Sequence, residues 1–118
     1  MSTTVFDPEK FKESIRQQWL NAAEAWNDWG MFLRQPLGPA TQHMLDMARV
    51  ADGSRVLDVA AGAGDQTMLI AERVGAKGHV LATDISSNIL EFTRENAQRA
   101  GLKNVETRVL DGGDPKTA

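Results

Sequence analysis

The rhythm of apolar and polar positions changes near residue 53. Before it, Phe11, Ile15, Trp19, Ala22 or Ala23, and Trp26 recur at helical spacing, so one helix face is strongly apolar. Asp7 followed by Pro8 marks the start: an aspartate oxygen accepts the first free amide protons, and proline already has the φ of a first helical residue. Gly30 and Pro36-Leu37-Gly38-Pro39 predict an interruption. Thr41 to Val50, carrying Met44, Leu45 and Ala48, then predicts a second, short helix. Trp19, Trp26, Trp29 and Phe32 are expected to pack against a sheet.

Beyond Asp52-Gly53, short apolar runs alternate with helical stretches. The pattern predicts a strand at Arg55–Val59, a helix at Asp65–Val74, a strand at His79–Thr83, a helix at Ser87–Ala100 and a strand at Val105–Leu110. Gly75 and Gly101 are placed as helix stops, and Ser86 as an N-cap. Strands that alternate with helices at this spacing pair in parallel through right-handed crossovers, and the expected arrangement has the first strand central among the three. The chain therefore divides into a helical segment, residues 1–52, and an α/β body, residues 53–118.

Composition narrows the chemistry. A chain of 118 residues with 42% hydrophobic residues can bury one core, and no run approaches the roughly 20 apolar residues of a membrane span. It contains no cysteine, which removes disulfides, zinc–thiolate centres and thiol nucleophiles. His43 and His79 have no partners at metal-ligand spacing and are read as structural, so no metal is expected. The net charge of −3 and the lack of any lysine or arginine run argue against binding along a nucleic acid backbone. The first residues lack a basic stretch followed by an apolar core, so a cytoplasmic location is expected.

The densest chemical signal is R-V-L-D-V-A-A-G-A-G-D-Q-T, Arg55 to Thr67. A strand runs into a turn where Gly62 and Gly64 let the backbone approach a ligand. Asp84 closes a second apolar run and is placed to accept hydrogen bonds from both hydroxyls of a ribose. The third glycine of a dinucleotide fingerprint is missing, because Gly64 is followed by Asp65, Gln66 and Thr67. A phosphate loop would need a lysine, and none lies between Arg55 and Lys77. Asp58 and Asp65 would repel a pyrophosphate but suit a cation. S-adenosylmethionine, with its sulfonium and ammonium groups, is such a cofactor.

Val56-Leu57-Asp58-Val59-Ala60-Ala61-Gly62-Ala63-Gly64 resembles motif I of the class I S-adenosylmethionine-dependent methyltransferases. The chain departs from D/E-x-G-x-G-x-G at Ala60. That replacement, with an acid at the place of Asp65, is similar to the branch that methylates ubiquinone and menaquinone precursors. Leu81-Ala82-Thr83-Asp84-Ile85-Ser86 resembles the family's second strand with its ribose-binding acid. Val109-Leu110-Asp111-Gly112 resembles a third motif, whose acid accepts from the adenine amino group while the next backbone N–H faces the ring. The resemblance thus implies a cofactor site built from Asp58, Ala60, Gly62, Gly64, Asp65, Gln66, Asp84, Ile85, Asp111 and Gly112.

It also implies a fold and a mechanism. The fold is a Rossmann-like parallel sheet of seven strands in the order 3-2-1-4-5-7-6, of which this chain holds three, preceded by helices that form a substrate lid in similar enzymes. The chain is accordingly expected to be the N-terminal part of a longer methyltransferase. Its first strand would keep an open edge where strand 4 belongs, a route to self-association. The mechanism is direct methyl transfer to a small-molecule acceptor, in which the protein aligns a nucleophile and excludes water. No catalytic residue is named by these motifs. A nicotinamide-dependent oxidoreductase using Asp84 on a ribose, or a non-catalytic interaction module, remain the alternatives.

Overall fold

A computed structural model describes residues 5–111, with the backbone only for residues 30, 31 and 33–36. The elements are α1 (Pro8–Met47), β1 (Arg55–Val59), α2 (Asp65–Val74), β2 (His79–Asp84), α3 (Ser87–Arg99) and β3 (Val105–Val109). From β1 onward, each element begins and ends within a residue of its sequence expectation. Gly75 and Gly101 follow α2 and α3 with positive φ, 68° and 71°, which glycine adopts without a Cβ clash. The Ser86 hydroxyl accepts from the Ile89 amide at 3.3 Å, as an N-cap should.

The N-terminal region differs from expectation. Asp7 does cap the start, accepting from the Glu9 amide at 3.0 Å. The helix it opens, however, runs unbroken for 40 residues through Gly30, Pro36 and Pro39. At a rise of about 1.5 Å per residue such a helix is about 60 Å long, matching the longest dimension of the molecule, 60 Å. Each interior proline removes one backbone bond and costs about 3 kcal/mol. Tertiary anchoring on both sides of the prolines outweighs that local preference: Ala23 joins a buried cluster with Ile89 and Leu90 of α3, while Leu45 joins Ile70, Ala71 and Val74 of α2. Arg73 of α2 adds an ion pair to Asp46 at 2.6 Å.

The sheet is parallel and ordered β1-β2-β3, so β2 is central and β1 is an edge. This corrects the expectation of a central first strand and agrees with the order that the family resemblance implies. Strand–helix alternation fixes that the pairing is parallel, but does not fix which side of β1 the later strands add to. Val56, Val80 and Val105 pack beneath α2 in one cluster. Arg94 of α3 reaches Thr107 on the same sheet face at 3.2 Å. The alternate positions of β1 point the other way; Leu57 and Val59 there are 59% and 57% exposed.

The aromatic residues of α1 do not cover the sheet, contrary to expectation. α1 packs on α2 and α3, and its rings pair along the helix instead: Trp19 with Trp26 at 5.7 Å and Trp29 with Phe32 at 5.4 Å between centroids. Among the described residues no helix is long and apolar enough to cross a membrane.

Candidate functional site

A parallel sheet leaves its C-terminal strand ends as the open rim of the molecule, where loops meet free backbone groups. Here β1 delivers Asp58 and β2 delivers Asp84 to that rim, and residues 60–64 run between β1 and α2. Ala61 donates its N–H to the Thr83 carbonyl at 2.9 Å, so the loop leaves β1 while still held to β2. Gly62 then donates its N–H to Asp84 Oδ2 at 3.1 Å. The other oxygen of the same carboxylate accepts the Ser86 N–H at 3.1 Å. A carboxylate has about four lone-pair positions, so Asp84 is fixed by two backbone donors and keeps about two positions for another partner.

The loop carbonyls are turned toward α3. Thr93 Oγ1 donates to the Gly62 carbonyl at 2.8 Å, and Asn96 Nδ2 donates to the Ala63 carbonyl at 3.1 Å. Asn96 also donates to Asn27 Oδ1 of α1 at 3.1 Å, tying the long helix to the loop. The two glycines have different reasons to be glycine. A Cβ at Gly62, with φ of +63°, would meet nothing within 4 Å. At Gly64, with φ of +94°, it would lie 2.9 Å from Thr93 Cγ2. Gly62 therefore serves the open cleft, whereas Gly64 serves close packing of loop on helix. Ala60 has a left-handed φ of 57°, which costs an L-residue about 1–2 kcal/mol. The glycine usual at that place in the family motif has a backbone reason.

Asp58 is almost fully buried. Its carboxylate accepts from Thr67 Oγ1 at 2.7 Å and from Gln66 Nε2 at 3.2 Å, joining the end of β1 to the first turn of α2. Burial pushes its pKa above the ordinary carboxylate value; the bonds from Thr67 and Gln66 oppose this, and the nearby charge of Asp84 adds to it. Asp58 is thus a carboxyl that gains from a cation placed beside it.

A cavity of about 570 Å³ opens over these groups. Of the expected site residues, Asp58, Ala60, Gly62, Asp65, Gln66, Asp84 and Ile85 line it. Gly64 stands behind the loop, against Thr93. Asp111 pairs with Lys12 of α1 at 3.0 Å, while its neighbour Leu110 reaches the cavity wall. Gly112 lies outside the described residues. Three carboxylates, and no lysine, arginine or histidine, are found among the described residues lining the space. α1 contributes Trp19, Trp26, Leu37, Gly38 and Thr41 to the lining, and Val59, Leu69, Ile89 and Leu110 add apolar surface from the α/β body.

Thr67, Thr93, Asn96 and Asn27 were not singled out by sequence reasoning. Two of them carry a usable signal: Thr67 falls in register with Ile70, Ala71 and Val74, and Thr93 with Ile89 and Ala97, so each is a polar residue on a buried helical stripe. Asn27 and Asn96 have no such mark.

The comparisons with known proteins agree with this geometry. The family profile described as a methyltransferase domain matches residues 51–117, and the chain belongs to that family. It is 29% identical over 105 residues to aklanonic acid methyltransferase DauC of Streptomyces sp. (strain C5), covering 89% of this chain and 46% of that protein. To the demethylmenaquinone methyltransferase of Listeria welshimeri it is 42% identical over 62 residues, 52% of this chain and 26% of that one. Among solved structures, a SAM-dependent methyltransferase from Aquifex aeolicus superposes with a TM-score of 0.57 at 27% identity, covering 91% of this chain and 48% of that one. The chain thus spans at most about half the length of these relatives. None of them supports the oxidoreductase or the non-catalytic alternative.

The loop geometry yields a paired test by chemical denaturation. Ala60→Gly should raise stability by up to about 1 kcal/mol, because relief of the left-handed strain exceeds the entropy that glycine adds to the unfolded chain. Gly64→Ala should lower it by about 1–3 kcal/mol, through strain and contact with Thr93. A loss at Ala60→Gly, or a neutral Gly64→Ala, would contradict the assigned backbone roles.

Proposed function

We propose that the polypeptide carrying this chain transfers a methyl group from S-adenosylmethionine to a small-molecule acceptor, with residues 53–118 forming the first half of the cofactor domain and residues 1–52 a lid. The observation that carries the proposal is Asp84, fixed at the end of β2 by the Gly62 and Ser86 amides while it faces the cavity. The residues present fit the cofactor: an oriented acceptor for ribose hydroxyls, a glycine with open space in front of it, and a carboxylate-rich wall for a cationic methionine end. The naming of the Aquifex relative as SAM-dependent supports the same cofactor.

In this reading Asp84 holds the ribose, with Ile85 beside it. Asp58, Asp65 and Gln66 face the methionine end around Ala60 and Gly62, with Gly64 supporting the loop. Asp111 and Gly112 serve the adenine, Asp111 in competition with Lys12. When bound, the cofactor supplies a methyl group already activated by its sulfonium. The chain's own part is to hold that molecule in one pose and to keep water from it with the α1 wall. The small-molecule acceptor is supported by the named substrates of the Streptomyces and Listeria relatives.

Calorimetric titration of the full polypeptide with S-adenosylhomocysteine tests the site. Asp84→Ala should weaken binding by about 2–4 kcal/mol, since hydrogen bonds to a charged partner each contribute about 1.5–3 before water partly replaces them. Affinity unchanged by that substitution would sink the assignment. The raised pKa of Asp58 gives a pH signature with a definite sign. The folded protein holds this proton more tightly than the unfolded chain, so the stability linked to it is present below the ordinary carboxylate value and lost as pH rises through the raised one. An ammonium group placed beside Asp58 favours the ionised form, so the affinity for S-adenosylhomocysteine, whose amino-acid end carries one, should rise with pH across that same window, and Asp58→Asn should flatten the rise.

We further propose that the open edge of β1, bordered by exposed Leu57 and Val59, takes another strand, either from the rest of the polypeptide or from a second copy. Sedimentation of residues 1–118 alone should show self-association that Leu57→Lys with Val59→Lys abolishes. A stable monomer before substitution would refute pairing between copies.

A further inference from the structure

The loop between β1 and α2 spends its backbone donors unevenly. Ala61 donates to the Thr83 carbonyl, Gly62 to Asp84 Oδ2 and Gly64 to the Ala61 carbonyl. The Ala63 N–H, by contrast, makes no hydrogen bond among the described residues. Ala63 is half-buried and lines the cavity. A backbone donor in such a place is satisfied by water in the free protein and by an acceptor on a ligand in the bound one.

The direction of that donor is set from α3. In a trans peptide the carbonyl and the following N–H point opposite ways. Thr93 Oγ1 holds the Gly62 carbonyl at 2.8 Å, so the Ala63 N–H of the same peptide points away from α3. A hydroxyl has one proton to give, and the other carbonyl near Thr93 Oγ1, that of Ile89, is more distant at 3.4 Å. Gly62 has no Cβ to favour one orientation of the peptide that follows it. What selects the observed orientation is therefore the hydroxyl of Thr93, a fully buried residue that is not among those lining the cavity.

The amino-acid end of S-adenosylmethionine carries an ammonium and a carboxylate. Asp58, Asp65 and Asp84 suit the ammonium, but no lysine, arginine or histidine among the described lining residues meets the carboxylate. A backbone donor has to serve it. We propose that the Ala63 N–H takes this carboxylate, and that Thr93 is the positioning residue that keeps the N–H, rather than the Gly62 carbonyl, turned toward the cleft. A flipped peptide would present an oxygen that repels the carboxylate. The inference rests on the methyltransferase reading above and adds to it the partner of the amino-acid carboxylate and the side chain that aims that partner.

Calorimetry on the full polypeptide tests this with two ligands: S-adenosylhomocysteine, and 5′-deoxy-5′-(3-aminopropylthio)adenosine, which is the same molecule without its carboxylate. Thr93→Val keeps the side-chain shape and its contact with the Gly64 backbone but removes the hydroxyl. It should weaken S-adenosylhomocysteine about tenfold, the scale of one hydrogen bond to a charged group, and change the decarboxylated ligand by less than about twofold. Thr93→Ser keeps the hydroxyl and loses the methyl packed near Gly64, so it should lower stability yet hold S-adenosylhomocysteine affinity within about twofold. In the unsubstituted protein, the amide proton resonance of Ala63 should move downfield with S-adenosylhomocysteine and not with the decarboxylated ligand, a readout that needs no variant. The proposal is overturned if Thr93→Val leaves S-adenosylhomocysteine affinity unchanged or weakens both ligands alike. It is equally overturned if Thr93→Ser loses as much affinity as Thr93→Val, or if the Ala63 resonance is the same with either ligand. A protein that binds neither ligand would overturn the proposed function, and this assignment with it.

Discussion

One carboxylate organises this site. Asp84 takes the Gly62 amide with one oxygen and the Ser86 amide with the other, both at 3.1 Å. The first bond sets the height of the loop after β1 above the rim of the sheet, and the second fixes the turn that launches α3. Its own carbonyl accepts the Leu110 amide at 3.0 Å, so the exit of β3 hangs from the same residue. Three connections at the C-terminal rim are therefore registered to one residue, two through its side chain and one through its carbonyl. Because this is a charged acceptor in a half-buried place, each donor is held more firmly than a neutral acceptor would hold it.

Around that centre, positions are conferred by groups that never reach the cavity. Thr93 and Asn96 hold the loop carbonyls away from the cleft, leaving the Gly62 amide turned toward Asp84. Thr67 and Gln66 hold Asp58, a buried acid kept in place at an electrostatic cost that a bound cation would reduce. Asn27 connects Asn96 to α1, so the helix and the loop share one hydrogen-bonded residue. The part of the lining that α1 contributes is thus tied to the loop after β1.

The α/β body was legible because its signals are local. A glycine with positive φ stops a helix, a serine caps one and a short apolar run makes a strand, all within a few residues. Asp58, Gly62 and Asp84 were legible for the same reason, since they stand at strand ends and in a turn. The course of α1 was not, because Gly30, Pro36 and Pro39 are local break signals whereas Ala23 and Leu45 act through contacts with α3 and α2. Strand order was equally hidden, since nothing in one strand names its neighbour. The supporting residues escaped notice because they act at a distance: Thr93 lies 31 residues from Gly62, and Asn27 lies 69 from Asn96.

A crystal structure of the full polypeptide with S-adenosylhomocysteine tests the central claim most directly. The account predicts both ribose hydroxyls within hydrogen-bonding distance of Asp84, with the Gly62 and Ser86 amides still on that carboxylate and the ammonium group on the side of Asp58. Cofactor bound elsewhere in the cavity, or an Asp84 carboxylate released from Gly62 and turned away from the ribose, would contradict it.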